Sequence, residues 1–245
     1  MNTDAPLGPL AMLRWSIVKE LVDDLQPKRV LEIGCGQGAF GARIAPSTDY
    51  LGVEADPTSF EVARRRIEPA GGRVICGTHA DIDPLDTFDL VCAFEVIEHI
   101  EDDLGTLTDW LTRVSPGGTA IISAPAWPER YGAWDEMVGH YRRYSPTGLD
   151  ALLTEAGCRD VQHVVYGWPL GMVTETARNE VAKRRRRSAE ASISDRTASS
   201  GRMLQPKRFV GLLVSVGVYP FAALQKVRPS AGVGLVSRGV VPGPR

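Results

Sequence analysis

A glycine run directly after a short apolar segment limits the fold of this chain more than any other pattern in it. Val30-Leu31-Glu32-Ile33 predicts a buried strand, and Gly34-Cys35-Gly36-Gln37-Gly38 follows it at once. Glycines at this spacing allow a sharp turn between a strand and a helix, and they allow a ligand to approach the backbone closely. The pattern therefore predicts a strand–loop–helix unit with a binding site at its loop.

Apolar strand-like segments alternate with helical patterns along most of the chain. The predicted strands are residues 30–33, 50–54, 73–76, 88–94, 119–123, 161–168 and 232–241. Strands separated by helices imply right-handed crossovers and a mainly parallel sheet that is covered on both faces. We therefore predict an α/β fold, a doubly wound Rossmann-like sheet of seven strands with helices on both faces.

The chain divides by pattern into four parts. Leu10, Leu13, Ile17 and Leu21 recur at helical spacing before Pro27, which predicts an amphipathic helix that packs on the core. The predicted parts are 1–26 (this helix), 27–168 (the ligand-binding core), 169–230 (a basic and apolar helical insertion or lid) and 231–245 (a final strand and tail).

Charge and cysteine content restrict the function classes. The 28 basic and 30 acidic side chains give a net charge of -2, so no chain-wide field favours nucleic acid. The four cysteines form no CxxC pair, which argues against a zinc knuckle or a disulfide framework. The first 25 residues lack the pattern of a signal peptide. We expect a cytoplasmic protein with no nucleic-acid partner.

The glycine run permits two interpretations. Gly36 to Gly41 matches Gly-x-Gly-x-x-Gly, and Glu54 stands near the position of a ribose-binding acid, as in an NAD-dependent oxidoreductase. However, Glu32 stands two residues before the first glycine. An acid at that point suits a cationic ligand and would repel a pyrophosphate.

Four segments together resemble the class I S-adenosylmethionine-dependent methyltransferases, in particular the type 11/12-like enzymes with small-molecule acceptors. They are Glu32 with the glycine run, Gly52-Val53-Glu54, Phe88-Asp89-Leu90-Val91 and Ser115-Pro116-Gly117-Gly118. The resemblance covers most of residues 30–123 in the family's order. It implies S-adenosylmethionine as the cofactor and methyl transfer as the reaction.

The resemblance also implies which residues hold the cofactor. Glu32 and the glycine loop would hold the methionine portion, Glu54 the ribose, and Asp81 the adenine, with Asp83 as the alternative acid. The full set of expected cofactor-binding residues is Glu32, Gly34, Cys35, Gly36, Gly38, Glu54, Ala55, Ala80, Asp81, Phe94 and Glu95.

The segment after the fourth strand carries the candidate catalytic residues. In a helix, Glu95, Glu98 and His99 share one face, where two carboxylates would raise the pKa of the imidazole or share a metal. We predict His99 as the general base, with His140 facing the same acceptor. Arg142 or Arg143 could hold an anionic substrate group, or each could be a solvated surface residue.

Glu95, Glu98, His99 and His140 also resemble the metal-binding set of the small-RNA 3′-terminal 2′-O-methyltransferases. The same string occurs in quinone and sugar O-methyltransferases, so we expect no metal. We favour a small-molecule or lipid-like acceptor methylated at a hydroxyl oxygen. The alternatives are a metal-assisted RNA 2′-O-methyltransferase, the NAD-dependent oxidoreductase, and a cofactor-binding regulatory domain without catalysis.

The carboxy-terminal third suggests one further possibility. The basic run Lys183 to Arg187 precedes the apolar segment Phe209 to Val227, as in proteins that attach to a membrane surface. A charged surface loop with a helix that packs on the sheet explains the same pattern, and we favour it over peripheral membrane contact through 183–227. The sequence leaves the acceptor and the oligomeric state open.

Overall fold

A computed structural model of the chain describes residues 7–186, 217–218, 220–228 and 230–243. The strands are β1 (Arg29–Ile33), β2 (Asp49–Glu54), β3 (Arg73–Cys76), β4 (Phe88–Phe94), β5 (Val114–Pro125), β6 (Arg159–Gly167) and β7 (Gly232–Val240). The helices are α1 (Pro9–Leu25), α2 (Gly41–Ile44), α3 (Pro57–Ile67), α4 (Asp103–Leu111), α5 (Ala133–Val138), α6 (Pro146–Glu155) and α7 (Leu170–Arg186).

The seven strands form one sheet in the order β3-β2-β1-β4-β5-β7-β6. Strands β1 to β5 pair in parallel, and β7 pairs antiparallel with both β5 and β6. The chain order reverses between β1 and β4, and the carboxyl ends of these neighbouring strands border a crevice suited to ligands. The predicted doubly wound, seven-stranded fold is confirmed.

Apolar side chains point alternately to the two faces of the sheet, and helices pack against them on both faces. Leu31 of β1 packs in the cluster that holds Trp110 of α4, whereas Val30 packs in the cluster that holds Leu13 of α1. Side chains at successive strand positions point to opposite faces, so a strand rich in apolar residues needs cover on both sides. Leu13, Ile17 and Val18 of α1 are buried in the second of these clusters, and the division of the chain at residue 26 stays a prediction.

One of the predicted local structures is wrong. The glycine run leads into a short helix, α2, which begins at Gly41 and has 4 residues. After β4 the chain forms a 3-10 turn at Ile97–His99 before α4 begins at Asp103, so residues 95–99 are not one helix. Asp102 caps α4 by accepting from the Gly105 amide at 3.0 Å, which fixes that later start.

The predicted division at residues 168–169 and the role of 169–230 as a lid stay predictions. Helix α7 gives the first part of that region a helical backbone. Residues 187–216, which include the end of the basic run and residues 209–216 of the apolar segment 209–227, lie outside the described residues. Across the helices that the structure does describe, none combines the length and apolar character that a membrane crossing requires.

Candidate functional site

The glycine loop, residues 34–38, follows β1 with three glycines in the left-handed region. Their φ angles are +67° at Gly34, +56° at Gly36 and +74° at Gly38. A Cβ at Gly34 would lie 2.7 Å from Val96 Cγ2, and one at Gly38 would lie 2.9 Å from Ala63 Cα. A Cβ at Gly36 would meet nothing within 4 Å. Two glycines therefore serve packing, and Gly36 borders open space that a ligand can fill.

Glu54 ends β2 beside this loop. Its Oε2 accepts from the Gly36 amide at 2.8 Å, and its Oε1 accepts from the Asp56 amide at 2.9 Å. Burial raises the pKa of Glu54, and the two amide hydrogen bonds oppose that rise. Each carboxylate oxygen keeps a second lone pair, so this group fits the ribose hydroxyls of a nucleoside.

Glu32 lies beneath the glycine loop with 3% exposure. Its Oε2 accepts from the Tyr50 hydroxyl at 2.6 Å. Burial raises the pKa of Glu32 to about 7, although the Tyr50 hydrogen bond and the charge of Arg14 oppose the shift. The carboxylate is therefore held by Tyr50 of β2, and its direct contact with a cofactor stays a prediction.

The other expected cofactor residues near the first two strands have different exposures. Cys35 is buried and its amide donates to the Val53 carbonyl at 3.0 Å, which ties the loop to β2. Ala55 is exposed immediately after β2. Phe94 is buried at the end of β4 and packs against Phe40 at a ring distance of 5.0 Å. These positions surround the crevice between β1, β2 and β4.

Asp81 caps a 3-10 turn at His79–Asp81 after β3. Its Oδ2 accepts from the Thr78 amide at 2.8 Å, and both Asp81 and Ala80 are exposed. Asp83 accepts from the Leu85 amide at 2.9 Å within the same loop. Capping explains the Asp81 carboxylate without a ligand, so its predicted bond to adenine stays a prediction.

Glu95 follows β4 with a φ angle of +59°, which is unusual for a residue that is not glycine. Its amide donates to the Ser123 carbonyl at 3.0 Å, and its Oε1 forms an ion pair with Arg14 at 2.8 Å. Its Oε1 also accepts from Tyr166 at 3.3 Å. The prediction that Glu95, Glu98 and His99 share one helical face is wrong, because the turn at Glu95 directs this residue toward α1.

Glu98, His99 and His140 form a compact group, with potential ligand atoms all within 4.8 Å of one another. Glu98 is fully buried, and its two carboxylate oxygens have no hydrogen-bond partner among the described residues. Burial, with the charge of Glu95 adding to it, raises the pKa of Glu98 well above its ordinary value. This Glu–His–His group has donors that suit a divalent cation.

The two histidines of the group have different surroundings. His99 Nδ1 lies 3.3 Å from the Gly139 carbonyl, and its ring packs edge-on against His140 with 4.6 Å between centroids. Burial, together with His140, lowers the pKa of His99 to about 4. The expectation that carboxylates raise this pKa is therefore wrong, and an imidazole that binds protons so weakly is a poor general base.

His140 is held in place by Asp135. Its Nδ1 lies 2.8 Å from Asp135 Oδ1, and its Nε2 lies 3.8 Å from Glu98 Oε1. Burial alone would raise the pKa of Asp135, but hydrogen bonds from His140 and Arg143 lower it below its ordinary value. A carboxylate on Nδ1 fixes the orientation of an imidazole and leaves Nε2 available.

His140 borders a cleft beside α7, which we call the α7 cleft. It encloses about 450 Å³ of empty space, its open mouth included, and its lining includes Glu95, Trp134, His140, Tyr166, Glu175 and Arg178. His99 does not line it. At the cleft, Glu95 lies close to α5, β6 and α7, although these segments are far apart in the sequence.

The sequence did not indicate several of the charged and polar side chains at or beside this cleft. Arg14, Tyr166, Glu175 and Arg178 belong to a predicted packing helix, a strand and an unassigned basic helix, where such side chains are common. Only the register of these elements brings them to the site. The helical spacing of Glu175 and Arg178 is the single clue that the sequence contains.

The two arginines predicted to hold an anionic substrate are already paired. Arg142 forms an ion pair with Asp103 at 2.7 Å and donates to the Glu101 carbonyl at 2.6 Å. Arg143 is 6% exposed and forms ion pairs with Asp135, at 2.8 Å, and with Glu175. That prediction is wrong for both residues, because their guanidinium groups stabilise the fold around the cleft.

Comparisons with known proteins agree with this geometry. A family model described as "Methyltransferase domain" matches residues 13–163. The ubiquinone biosynthesis O-methyltransferase of Aliivibrio fischeri is 30% identical over 124 residues, which are 48% of this chain and 53% of that protein. The enzyme of the same name from Vibrio cholerae is 31% identical over 124 residues, which are 48% and 50%. The chain spans about half the length of the curated relatives it matches.

A solved structure shares the fold over nearly the whole chain. The N-methyltransferase NodS from Bradyrhizobium japonicum WM9, in complex with S-adenosyl-L-homocysteine, is 16% identical with a TM-score of 0.59. The match covers 96% of this chain and 89% of that one. At this identity it bears on the fold and leaves the acceptor open.

The comparisons decide between the two interpretations of the glycine run. They match a methyltransferase, and the third glycine of the Gly-x-Gly-x-x-Gly pattern has a separate explanation. A Cβ at Gly41 would overlap the Tyr50 hydroxyl, so close packing alone requires glycine there. The dinucleotide interpretation is therefore not needed to explain the pattern.

Proposed function

Because this chain belongs to the class I S-adenosylmethionine-dependent methyltransferases, we propose that it methylates a hydroxyl oxygen of a small-molecule or lipid-like acceptor in the α7 cleft. The curated relatives are named as O-methyltransferases, which supports oxygen as the acceptor atom. The bound cofactor supplies a methyl carbon activated by a positively charged sulfur. The protein contributes alignment, exclusion of water and, for a weakly nucleophilic hydroxyl, a base.

The observation that carries the proposal is the pairing of Asp135 with His140 beside the cleft. A hydroxyl is a poor nucleophile until its proton is removed, and a positioned imidazole is the usual acceptor of that proton. Asp135 on Nδ1 orients the ring, so Nε2 can take the proton and the charged ring is then stabilised. We therefore assign the base to His140, and His99 becomes a positioning residue that packs against it.

The test compares His140→Gln with His163→Gln. His163 is a matched control, because its Nδ1 also contacts an aspartate, Asp150 at 2.6 Å, but it lies on β6 away from the cleft. The assay gives the protein S-adenosylmethionine with a panel of phenols, alkyl alcohols and amines, and mass spectrometry with NMR locates the new methyl group. We expect oxygen methylation, with kcat about 10²- to 10⁴-fold lower in His140→Gln and unchanged in His163→Gln.

Affinity for S-adenosylhomocysteine, measured by calorimetry, should be equal in all three proteins. Methylation of the amines alone contradicts an oxygen acceptor. An equal loss of turnover and cofactor affinity in His140→Gln contradicts the assignment of the base and makes His140 a structural residue.

A second candidate function is methyl transfer assisted by a divalent cation at the Glu–His–His group. The favouring observation is Glu98, whose buried oxygens accept no hydrogen bond from the described residues and need either a proton or a cation. Glu98, His99 and His140 would hold the cation, which would supply Lewis-acid polarisation of an acceptor oxygen.

Metal binding can be measured apart from activity. Calorimetry with MgCl2, MnCl2 and ZnCl2 on the protein saturated with S-adenosylhomocysteine should show a single site that Glu98→Gln and His99→Asn abolish. If the cation is absent, Glu98→Gln mimics a protonated carboxyl, so turnover survives in it and falls only in His140→Gln. No heat of binding with any of the three cations contradicts this candidate.

A further inference from the structure

Arg178 of α7 lines the α7 cleft. The carboxylates that line the cleft are paired with other cations, in the ion pairs Glu95–Arg14, Glu175–Arg130, Glu175–Arg143 and Asp135–Arg143. Among the described residues, no ion pair joins a carboxylate to Arg178. Its positive charge is therefore available to an anion in the cleft.

The surroundings of Arg178 make that charge costly without a ligand. The side chain is largely enclosed, and burial lowers the pKa of its guanidinium below the ordinary value despite the nearby charge of Glu95. Glu95 forms its ion pair with Arg14 at 2.8 Å, and within the described residues no ion pair joins it to Arg178. A cation removed from water in this way is stabilised when an anion binds beside it.

The orientation of Arg178 favours a planar anion. Its guanidinium carbon lies 5.3 Å from the ring centroid of Trp134 on α5, so one side of the group faces an aromatic ring. The N–H donors of a guanidinium lie in its plane, so they remain free at its edge. An edge with parallel donors matches the two oxygens of a carboxylate or two oxygens of a phosphate.

We propose that the α7 cleft binds an acceptor that carries a carboxylate or phosphate group, and that Arg178 holds that group while Trp134 orients the guanidinium. This inference rests on the proposed function, since it places the anionic group in the cleft that His140 lines. It narrows the acceptor class to hydroxylated compounds that carry an anionic group. Arg142 and Arg143 are not available to bind that group, because both are already paired.

The test uses matched pairs of anionic and neutral compounds. Calorimetry measures binding of 3,4-dihydroxybenzoate and 3,4-dihydroxybenzamide, and of phenyl phosphate and phenol, to the protein saturated with S-adenosylhomocysteine. We expect at least one anion to bind about tenfold or more tightly than its neutral partner, the advantage of a charge-assisted hydrogen bond. The two pairs distinguish a carboxylate from a phosphate.

Substitutions connect that preference to Arg178. Arg178→Gln should abolish it, Arg178→Lys should keep part of it, and Arg159→Gln, at an exposed residue of β6, should leave it unchanged. Thermal unfolding of each variant shows whether the fold is intact.

Three outcomes would overturn the inference: neither anion binds, the neutral compounds bind equally well, or the preference survives in Arg178→Gln. Binding of S-adenosylhomocysteine and the methylation of hydroxyl compounds are measured on the same proteins. If the wild type methylates hydroxyl compounds but shows no preference for anions, only the anion site is contradicted. If the wild type does not methylate hydroxyl compounds, the proposed function is contradicted.

Discussion

The cofactor end and the acceptor end of the site hold their charged groups by different means. At the cofactor end, Glu54 accepts hydrogen bonds from the amides of Gly36 and Asp56, and Glu32 accepts from Tyr50, all within β1, β2 and the loops after them. At the acceptor end, Asp135 and Glu175 meet arginines from other segments. Backbone amides and a neutral hydroxyl thus satisfy the first set, whereas charged side chains supply most of the contacts of the second.

This difference predicts which end of the site tolerates substitutions. A hydrogen bond from a backbone amide survives the exchange of most side chains, whereas a buried ion pair fails when either partner is removed. We therefore expect the acceptor end to be more sensitive to single substitutions, and the cofactor end to depend on glycine conformation and on a few acids. The following predictions test that contrast.

The largest effect should come from Asp135→Asn at the acceptor end. Asp135 is fully buried and accepts from Arg143, His140 and the Gly132 amide. Its neutralisation should lower the free energy of unfolding by about 3–5 kcal/mol, because it leaves buried cations underpaired. Urea denaturation measures the loss. Asp49→Asn, in exposed ion pairs with Arg29 and Arg73, should cost less than about 1 kcal/mol, and equal losses would contradict the contrast.

Glu32 gives the cofactor end a pH dependence. Its pKa of about 7 in the fold exceeds the ordinary 4.5, so the folded protein keeps a proton that the unfolded chain releases. The free energy of unfolding should therefore fall by about 3 kcal/mol as pH rises from about 4.5 to about 7. Glu32→Gln keeps an acceptor for Tyr50 but cannot titrate, and it should lose this slope.

The measurement is the difference between Glu32→Gln and the wild type at pH 5 and pH 8, from urea denaturation. Taking the difference cancels the pH dependence that other groups contribute. One of these groups is His99, whose lowered pKa acts in the opposite direction, because its contribution to stability is lost as pH falls toward 4. Glu61→Gln, on the exposed side of α3, is the control. If Glu32→Gln is not more stable than the wild type at pH 8, ionisation of Glu32 costs the folded protein little free energy, and the prediction is wrong.

Glu54→Gln should weaken cofactor binding while it leaves the acceptor end intact. A neutral amide is a poorer acceptor for ribose hydroxyls, and hydrogen bonds to charged groups contribute about 1.5–3 kcal/mol. We expect the affinity for S-adenosylhomocysteine to fall about 10- to 100-fold, as measured by calorimetry. Glu61→Gln again serves as the control, and a change within twofold at Glu54 would place the ribose elsewhere.

The smallest effect should distinguish two glycines of the same loop. Gly38→Ala brings a Cβ to 2.9 Å from Ala63 Cα, whereas Gly36→Ala meets open space, and both positions carry the left-handed strain of about 1–2 kcal/mol. We expect Gly38→Ala to cost about 1 kcal/mol more stability than Gly36→Ala, by thermal unfolding. Gly36→Ala should lose more cofactor affinity, and the reverse ranking would show that Gly36 does not face the ligand.

Local pattern was sufficient for much of the fold. The strands predicted at 73–76 and 88–94 have the bounds of β3 and β4. Runs of apolar residues between turn residues specify such strands, because burial on both faces of a parallel sheet requires them. The segment after β4 departed from its pattern because Ser123 and Arg14 bind Glu95, whose φ angle is +59°.

By itself, the sequence determined the order of strands and helices and the glycine loop with its neighbouring acids, because these depend on residues close together in the chain. Only the tertiary structure decided which charged groups face the α7 cleft. It paired Arg142 and Arg143 internally, left Arg178 without an ion pair to any described carboxylate, and gave His140 in place of His99 an orienting aspartate. The physical reason is that ion pairing and desolvation depend on distances between segments, which the packing of α1, α5, β6 and α7 sets.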